Sequence, residues 1–461
     1  VRVADKGLGG RVNRASRLAR IGMTGASGFA RARTREFFGD EDASSAHELS
    51  AERIAAILGE MKGAAMKVGQ VLSLVDMDLP PEIRSTYHDA LAMLRDAAPP
   101  IDTDAVIGVL ERSLGTSVDQ AFASFEETPL AAASIGQVHA ATTHDGRDVV
   151  VKVQYPGVAQ AVRDDLANAE VFAPLARVFS PNQELEPLLE ELRERIDDEL
   201  DYLREAQYQR AFATRYQGHP FIRVPGVVAE LSTDQVLVSE RVHGRRFDDV
   251  VAEGDDTLHQ QVGEIIFRYA FGSIGRFRLF NGDPHPGNYL VLDDGTVAFL
   301  DYGSVKMFTR ARHRSMRRIE SAAVEGHRAE FLAAMRESGF LPHDPRIDDE
   351  KVWQWFRLYM RPVLAEQPFT FTSDFAGELL AATSDPRSPY YGMLRRLNMP
   401  ADYLLLTRIH LGLNSVLGRL GARGDWASIR AEYTDDGVPR TALGEQDAAW
   451  WAERREGLPV G

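Results

Sequence analysis

The stretch Phe280-Asn281-Gly282-Asp283-Pro284-His285-Pro286-Gly287-Asn288, continued through Tyr289-Leu290-Val291-Leu292-Asp293-Asp294-Gly295-Thr296-Val297-Ala298-Phe299-Leu300 to Asp301-Tyr302-Gly303, decides the reading of this chain. Asp283 and Asn288 lie one short loop apart, and Asp301 follows after two apolar runs joined by an Asp-Asp-Gly turn. Transfer of a γ-phosphoryl group needs one carboxylate to orient a nucleophile, and a carboxylate with an amide oxygen to hold magnesium against the phosphates. Asp283, Asp301 and Asn288 supply that equipment. A hairpin with acidic turns explains any one of them; for the three together at this spacing it stays open only as the lesser alternative.

Such a site needs a lysine upstream. Asp148-Val149-Val150-Val151-Lys152-Val153 is a β-branched run carrying one lysine, which reads as a buried strand. An unpaired charge there is costly, so Lys152 is either a snorkelling edge residue or a phosphate-holding lysine with a carboxylate partner. The acids Glu199, Asp201 and Glu205 come next. They sit at the downstream end of an apolar stripe (Leu185, Leu189, Leu192, Ile196, Leu200, Leu203) that predicts one continuous helix. On that helix Asp201 and Glu205 share a face and Glu199 points elsewhere. A solvated role for each of these acids stays open.

Ahead of the Lys152 strand, where a glycine-rich phosphate loop is expected, the chain has Leu130-Ala131-Ala132-Ala133-Ser134-Ile135-Gly136-Gln137. Alanine restricts the backbone angles glycine allows, so a stiffer loop is expected, offering backbone amides and the Ser134 hydroxyl to phosphate. Farther upstream, Met66-Lys67-Val68-Gly69-Gln70 lies in a helical Ala/Met/Leu pattern beginning near Ser50.

Taken together, these segments resemble the UbiB family of atypical, protein-kinase-like proteins, the group that includes the ADCK and Coq kinases. The marks are Lys67-x-Gly69-Gln70, the alanine-rich loop Ala131 to Ser134, Glu199-x-Asp201, and Asp283-Pro-His-Pro-Gly-Asn288. The resemblance runs from about Glu52 through Asp301 and less specifically to Arg423. It implies an α+β, two-lobed kinase-like fold with a helical N-terminal extension carrying the Lys-x-Gly-Gln motif, and ATP and Mg2+ as cofactors. Lys152 then matches the phosphate-contacting lysine, Glu205 its helix partner, Asp283 the catalytic-loop aspartate, and Asn288 and Asp301 the metal ligands. Ala131, Ala132, Ala133 and Ser134 match the nucleotide loop. Val236 to Gly244, with Glu240, matches the hinge whose backbone receives adenine. Lys67 and Gln70 match a regulatory helix that covers the peptide cleft, with Lys67 against Glu199 or Asp201. One departure stands out: the family's usual His and Ala before the catalytic aspartate are Asn281 and Gly282, which fill less volume and imply a looser loop and slower turnover.

Composition fits a globular, enzyme-like chain: 461 residues, 44% hydrophobic and 26% charged. The absence of cysteine excludes disulfides, thiolate metal sites and a cysteine nucleophile. A net charge of -15 argues against general nucleic-acid binding. No Gly-Lys pair occurs, so the phosphate loop of a transporter ATPase is excluded. No apolar run is long enough to span a membrane, and Tyr403 to Leu420 reads as an amphipathic helix with a surface that could face lipid. A cytoplasmic chain, at most peripheral to the membrane, is expected. The arginine-rich arm before Glu36 reads either as an element leaning on anionic headgroups or as a disordered, self-docking arm. The expected organisation is a basic arm (1–45), a helical extension (46–115), a small lobe (116–240) and a large, mainly helical lobe (241–461). No Ala-Pro-Glu motif follows Asp301-Tyr302-Gly303, and a helical pattern resumes near Arg310, so the segment that docks peptides is expected to be missing. The implied partners are ATP and a lipid or isoprenoid-type small molecule, and the implied work is phosphoryl chemistry in isoprenoid quinone or lipid metabolism. The alternatives are a nucleotide-binding pseudokinase scaffold, or an ATPase with an indirect role in transport or drug tolerance.

Overall fold

The computed structural model describes residues 103–133, 135–159, 200–398, 401–434 and 437–456. The basic arm, Lys67, Gln70, Ser134 and Glu199 lie outside these residues. In chain order the first part comprises α1 (Thr103–Leu114), β1 (Ser124–Phe125), β2 (Ala131–Ala132), β3 (Gly136–Thr142), β4 (Asp148–Gln154), α2 (Tyr202–Arg215), β5 (Ile222–Arg223) and β6 (Val236–Glu240). An antiparallel sheet runs β1-β3-β4-β6, with β2 paired to β3. β4 is therefore central, and Lys152 is not an edge residue.

The alternation along β4 sorts its side chains. Val149, Val151 and Val153 are buried on one face against Val106, Val109 and Leu110 of α1. Each such side chain contributes about 1.5–3 kcal/mol on burial, enough to hold the strand in register. The period of two then puts Lys152 on the opposite face. Gly136 is required where β3 meets β4, because a Cβ there would lie 2.2 Å from the Val153 carbonyl oxygen.

The rest continues with β7 (Arg245–Arg246), α3 (Phe247–Glu253), α4 (Asp256–Phe277), β8 (Leu279–Asn281), β9 (Tyr289–Val291), β10 (Val297–Phe299), β11 (Val305–Met307), α5 (Arg310–Val324), α6 (Arg328–Glu337), α7 (Asp349–Tyr359), α8 (Ser373–Ser384), α9 (Ala401–Leu420), α10 (Trp426–Thr434) and α11 (Ala442–Glu456). A small sheet runs β5-β10-β9-β7, with β5 and β10 parallel, and β8 pairs with β11. The Asp-Asp-Gly turn joins β9 to β10 as an antiparallel hairpin. The main core gathers Val262, Ile265 and Phe267 of α4 with Phe299, Leu417 and Trp426. A second core forms around Met316, Phe331 and Trp355.

Two expectations are corrected. The leucine stripe does not continue as one helix through Leu203: Asp201 has extended backbone and caps a helix that starts at Tyr202, its side chain accepting from Leu203 N at 3.0 Å. Asp201 and Glu205 therefore do not share a helical face; Asp201 is the cap and Glu205 lies in the first turn. The second correction concerns α9. Among its described side chains, Ile409, Leu413, Val416, Leu417 and Leu420 are buried in the two cores, so this part of the apolar face is spent on packing and not free to face lipid.

Candidate active site

Lys152 Nζ lies 2.8 and 2.9 Å from the two carboxylate oxygens of Glu205 and 3.4 Å from Asp301 Oδ2. Three segments meet here: β4 presents the lysine, the first turn of α2 the glutamate, and the loop after β10 the aspartate. Glu205 is nearly buried, which follows from the stripe Tyr202, Glu205, Ala206, Gln209 and Phe212 on the inward face of α2. The ring of Tyr202 stands 5.0 Å from Lys152 Nζ, adding a cation–π contact.

The charges are strongly coupled. Burial opposes charge on Lys152, but the Glu205 and Asp301 carboxylates hold its pKa well above the usual lysine value. Burial also pushes Glu205 up, with Lys152 pulling it down and Asp301 pushing it up again. These two directions oppose each other for a single ion pair. With both carboxylate oxygens on one ammonium, and a further hydrogen bond from the Tyr302 backbone, the ionised pair is the state the geometry favours.

The two acidic loops are tied to each other. Asn288 Nδ2 donates to the Asp283 carbonyl and to Asp283 Oδ2, both at 3.1 Å. Leu300 N donates to the Asn288 carbonyl at 3.0 Å, which brings the Asp301 loop beside it. Within that loop Gly303 N donates to Asp301 Oδ1 at 2.9 Å. Asn281 spans both loops: its Nδ2 donates to the Asp301 carbonyl, and its Oδ1 accepts from Asp283 N at 3.3 Å. The smaller amide thus joins the loops through hydrogen bonds. Behind the Asp283 loop, Gly412 of α9 leaves room for Pro284, since a Cβ there would meet its Cγ at 2.6 Å.

The alanine-rich loop is a hairpin. Ala131 and Ala132 pair with Val138 and Gln137, and Ala133 N donates to the Gly136 carbonyl at 2.8 Å. At the end of β6, Glu240 N donates to the Gly226 carbonyl at 2.7 Å, and the Glu240 side chain pairs with Arg223. Lys152, Glu205 and Asp301 are therefore in direct contact, with Asp283 and Asn288 linked to them through the loops. Asp201 serves as a helix cap.

Sequence reading missed two contributors, Tyr302 and Tyr202, and read a third, Asn281, for its smaller volume. Tyr302 is fully buried and packs its ring 5.1 Å from Phe212, joining the Asp301 loop to α2. The buried Tyr202 hydroxyl lies against Gly136 and has no hydrogen-bond partner among the described residues. Asn281 bridges the loops. Only Asn281 gave a signal in sequence, as a polar side chain close to Asp283.

Comparison with known proteins adds the following. The ABC1 atypical kinase-like domain matches residues 93–335. The rat atypical kinase COQ8B, mitochondrial, is 33% identical over 296 residues, covering 64% of this chain and 55% of the relative. A probable protein kinase UbiB from Azotobacter vinelandii is 33% identical over 311 residues, covering 65% of this chain and 56% of the relative. The chain spans about half the length of the curated relatives it matches. Among solved structures, the Mycobacterium tuberculosis protein Rv3197, in complex with erythromycin, is similar with a TM-score of 0.62 and 31% identity, over 86% of this chain and 98% of that one.

Proposed function

Because the chain belongs to the ABC1 atypical kinase-like family, we propose that it binds ATP with magnesium between the five-stranded sheet and the Asp283 and Asp301 loops, and hydrolyses or transfers the γ-phosphoryl group. The observation that carries this reading is the contact of Lys152 with both Glu205 and Asp301, residues 53 and 149 positions away in sequence. Glu205 holds the ammonium in place, Lys152 grips the phosphates, and Asp283 accepts or orients the proton of the nucleophile. The donors near Asp301 are carboxylate and amide oxygens, which suit a hard cation. Among the described residues no group of three or more His, Cys, Asp or Glu could hold a metal by itself. That also suits magnesium, which takes one or two carboxylates and completes its shell with phosphates and water. Asn288 and Asp301 would hold the ion, which when bound neutralises the phosphate charge. The hairpin that carries Ala131, Ala132 and Ala133 would cover the phosphates, with the Ser134 hydroxyl as a further donor, and Glu240 would lie at the adenine edge.

The finer reading follows the resemblance: a lipid or isoprenoid-type molecule as the acceptor or effector, within isoprenoid quinone or lipid metabolism, and Lys67 and Gln70 as a regulatory helix over the cleft. Generic peptides are poor acceptors, because α5 begins at Arg310, only seven residues beyond Gly303, which leaves little chain to dock one. No helix among the described residues is long and apolar enough to cross a membrane; the proposed location is cytoplasmic, at most peripheral to the membrane, the basic arm being either a contact for anionic headgroups or a disordered, self-docking element.

The test is a magnesium-dependent ATP turnover assay with anionic liposomes or with casein-like peptides. Turnover that responds to liposomes, without peptide phosphorylation, supports the reading. Robust peptide phosphorylation with no response to liposomes at low ionic strength contradicts the acceptor class. A nucleotide-binding scaffold would bind ATP and show no turnover.

A second reading, a role in drug tolerance, is favoured by the erythromycin complex of the M. tuberculosis relative. A surface cavity of about 620 Å3 lined by Trp353, Arg357, Arg361 and Tyr390 shares no residue with the Lys152 cluster and lies in the size range of small-molecule sites. Erythromycin titration of the wild type and Trp353→Ala tests it: binding weakened by the substitution supports this reading, and no binding removes it.

A further inference from the structure

Helix α2 carries Glu205 at its front and is held at its rear by the C-terminal helix α11. Arg454 of α11 donates to the carbonyls of Thr214 at 2.5 Å and Gln217 at 3.0 Å, so a guanidinium closes the C-terminal end of α2. This is where a cation complements the helix dipole and satisfies carbonyls that lack a helical partner. One turn beyond α2, His219 Nε2 donates to Asp447 Oδ1 of α11 at 3.0 Å, while its Nδ1 accepts from Ile222 N at 3.2 Å. Trp450 packs edge-on to His219 and Trp451 edge-on to Tyr216.

Asp447 is the hub of this rear contact. Its side chain is 2% exposed and also accepts from Arg276 Nη2 at 2.7 Å, Trp451 Nε1 at 3.0 Å and the Tyr433 hydroxyl at 3.4 Å. It thus ties α11 and the end of α2 to α4 and α10, which form the body of the large lobe. A carboxylate with this many donors is fixed in position and costly to disturb. Between the two ends, Phe212 of α2 packs on Tyr302 beside Asp301. A helix of 14 residues at 1.5 Å per residue is a stiff rod of about 21 Å, so the position of its rear sets the position of its front.

We propose that Arg454 and Asp447 are positioning residues for the Lys152–Glu205 pair: α11 anchors α2 from behind, and its release lets Glu205 move off Lys152. This rests on the proposed nucleotide site for its effect on activity, and on the fold alone for its effect on α2.

Two measurements test it. The first is Mg-ATP affinity and turnover in Arg454→Ala, Arg454→Lys and Asp447→Asn, with Arg454→Ala repeated in a Glu205→Gln background. Arg454→Ala is expected to weaken nucleotide binding about five- to tenfold, Arg454→Lys to restore most of it, and Arg454→Ala to add nothing once Glu205 is Gln. A loss of equal factor in both backgrounds means a general structural role and overturns the proposal, as does no loss in the wild-type background. The second is hydrogen exchange of the α2 amides without nucleotide, with exposed Arg210→Ala of the same helix as the comparison. Faster α2 exchange in Arg454→Ala and Asp447→Asn than in Arg210→Ala supports the anchor even if the wild type binds no nucleotide, a result that would sink only the proposed function. Exchange unchanged in both anchor variants overturns the anchor whatever the nucleotide does.

Discussion

Replacing Lys152 with Met leaves the carboxylate of Glu205 buried without its ammonium. The side chains of this pair are 17% and 5% exposed, and Asp301 lies 3.4 Å from the same Nζ. Glu205 would keep its Tyr302 backbone donor and would face Asp301 without the intervening positive charge. Breaking a buried pair from one side costs about 3–5 kcal/mol, and that is the expected loss in denaturant unfolding at pH 7.5. The pH dependence has a definite sign. Burial already raises Glu205, and losing Lys152 removes the charge that opposed it. A carboxyl whose folded pKa lies above its unfolded value stabilises the fold when protonated, so the deficit should shrink as pH falls from 7.5 toward 5.5, by up to about 1.4 kcal/mol per pH unit once below the folded pKa. Adding Glu205→Leu to Lys152→Met should recover most of the loss, because a buried ion pair exchanged for apolar side chains is close to neutral. A deficit equal at both pH values, or a double variant no better than the single one, would refute the reasoning.

Asn281→Ala removes the amide that joins the two acidic loops and is expected to cost about 1–3 kcal/mol, with a lower melting temperature and slower turnover; an unchanged melt and rate would show that the loops hold without it. His410 is pushed down from 6.5 to about 4 by burial and is neutral in the fold. Its contribution is therefore complete above pH 6.5 and is lost as pH falls toward 4, about 2 kcal/mol between pH 7.5 and 5. His410→Gln should flatten the fall in stability over that interval, and an identical slope would contradict the assignment.

Much of the site could be read from the chain because its chemistry is local. The valine run of β4 identified a buried strand, and pairing on both sides makes Lys152 a central residue in need of a carboxylate. The spacing of Asp283, Asn288 and Asp301 is set by one turn and one hairpin, so it survives in sequence. The position of Glu205 was harder. The leucine stripe suggested a helix running past Leu200, but the helix starts where distant groups fix the chain: Tyr202 N donates to the Asp234 carbonyl, and the Gln154 amide donates to the carbonyls of Leu200 and Asp234. No local pattern carries that information. Likewise α9 has the periodicity of a surface helix, yet its described apolar side chains fill both cores, since periodicity reports a buried face and not what buries it. The anchor around Asp447 was invisible because buried polar networks assemble residues from four separate elements, each unremarked in its own segment.

The central claim is that the Asp301 loop and Lys152 form a magnesium–nucleotide site, and calorimetric titration with ATP tests it most directly. Wild type and Asp301→Asn are compared with and without magnesium, their folding checked by melting temperature. The account predicts binding in the wild type that strengthens with magnesium, and a folded Asp301→Asn in which that magnesium dependence is weakened or lost because one metal carboxylate has become an amide. Equal Mg-ATP affinity in the two proteins, or no nucleotide binding by the folded wild type, would contradict it.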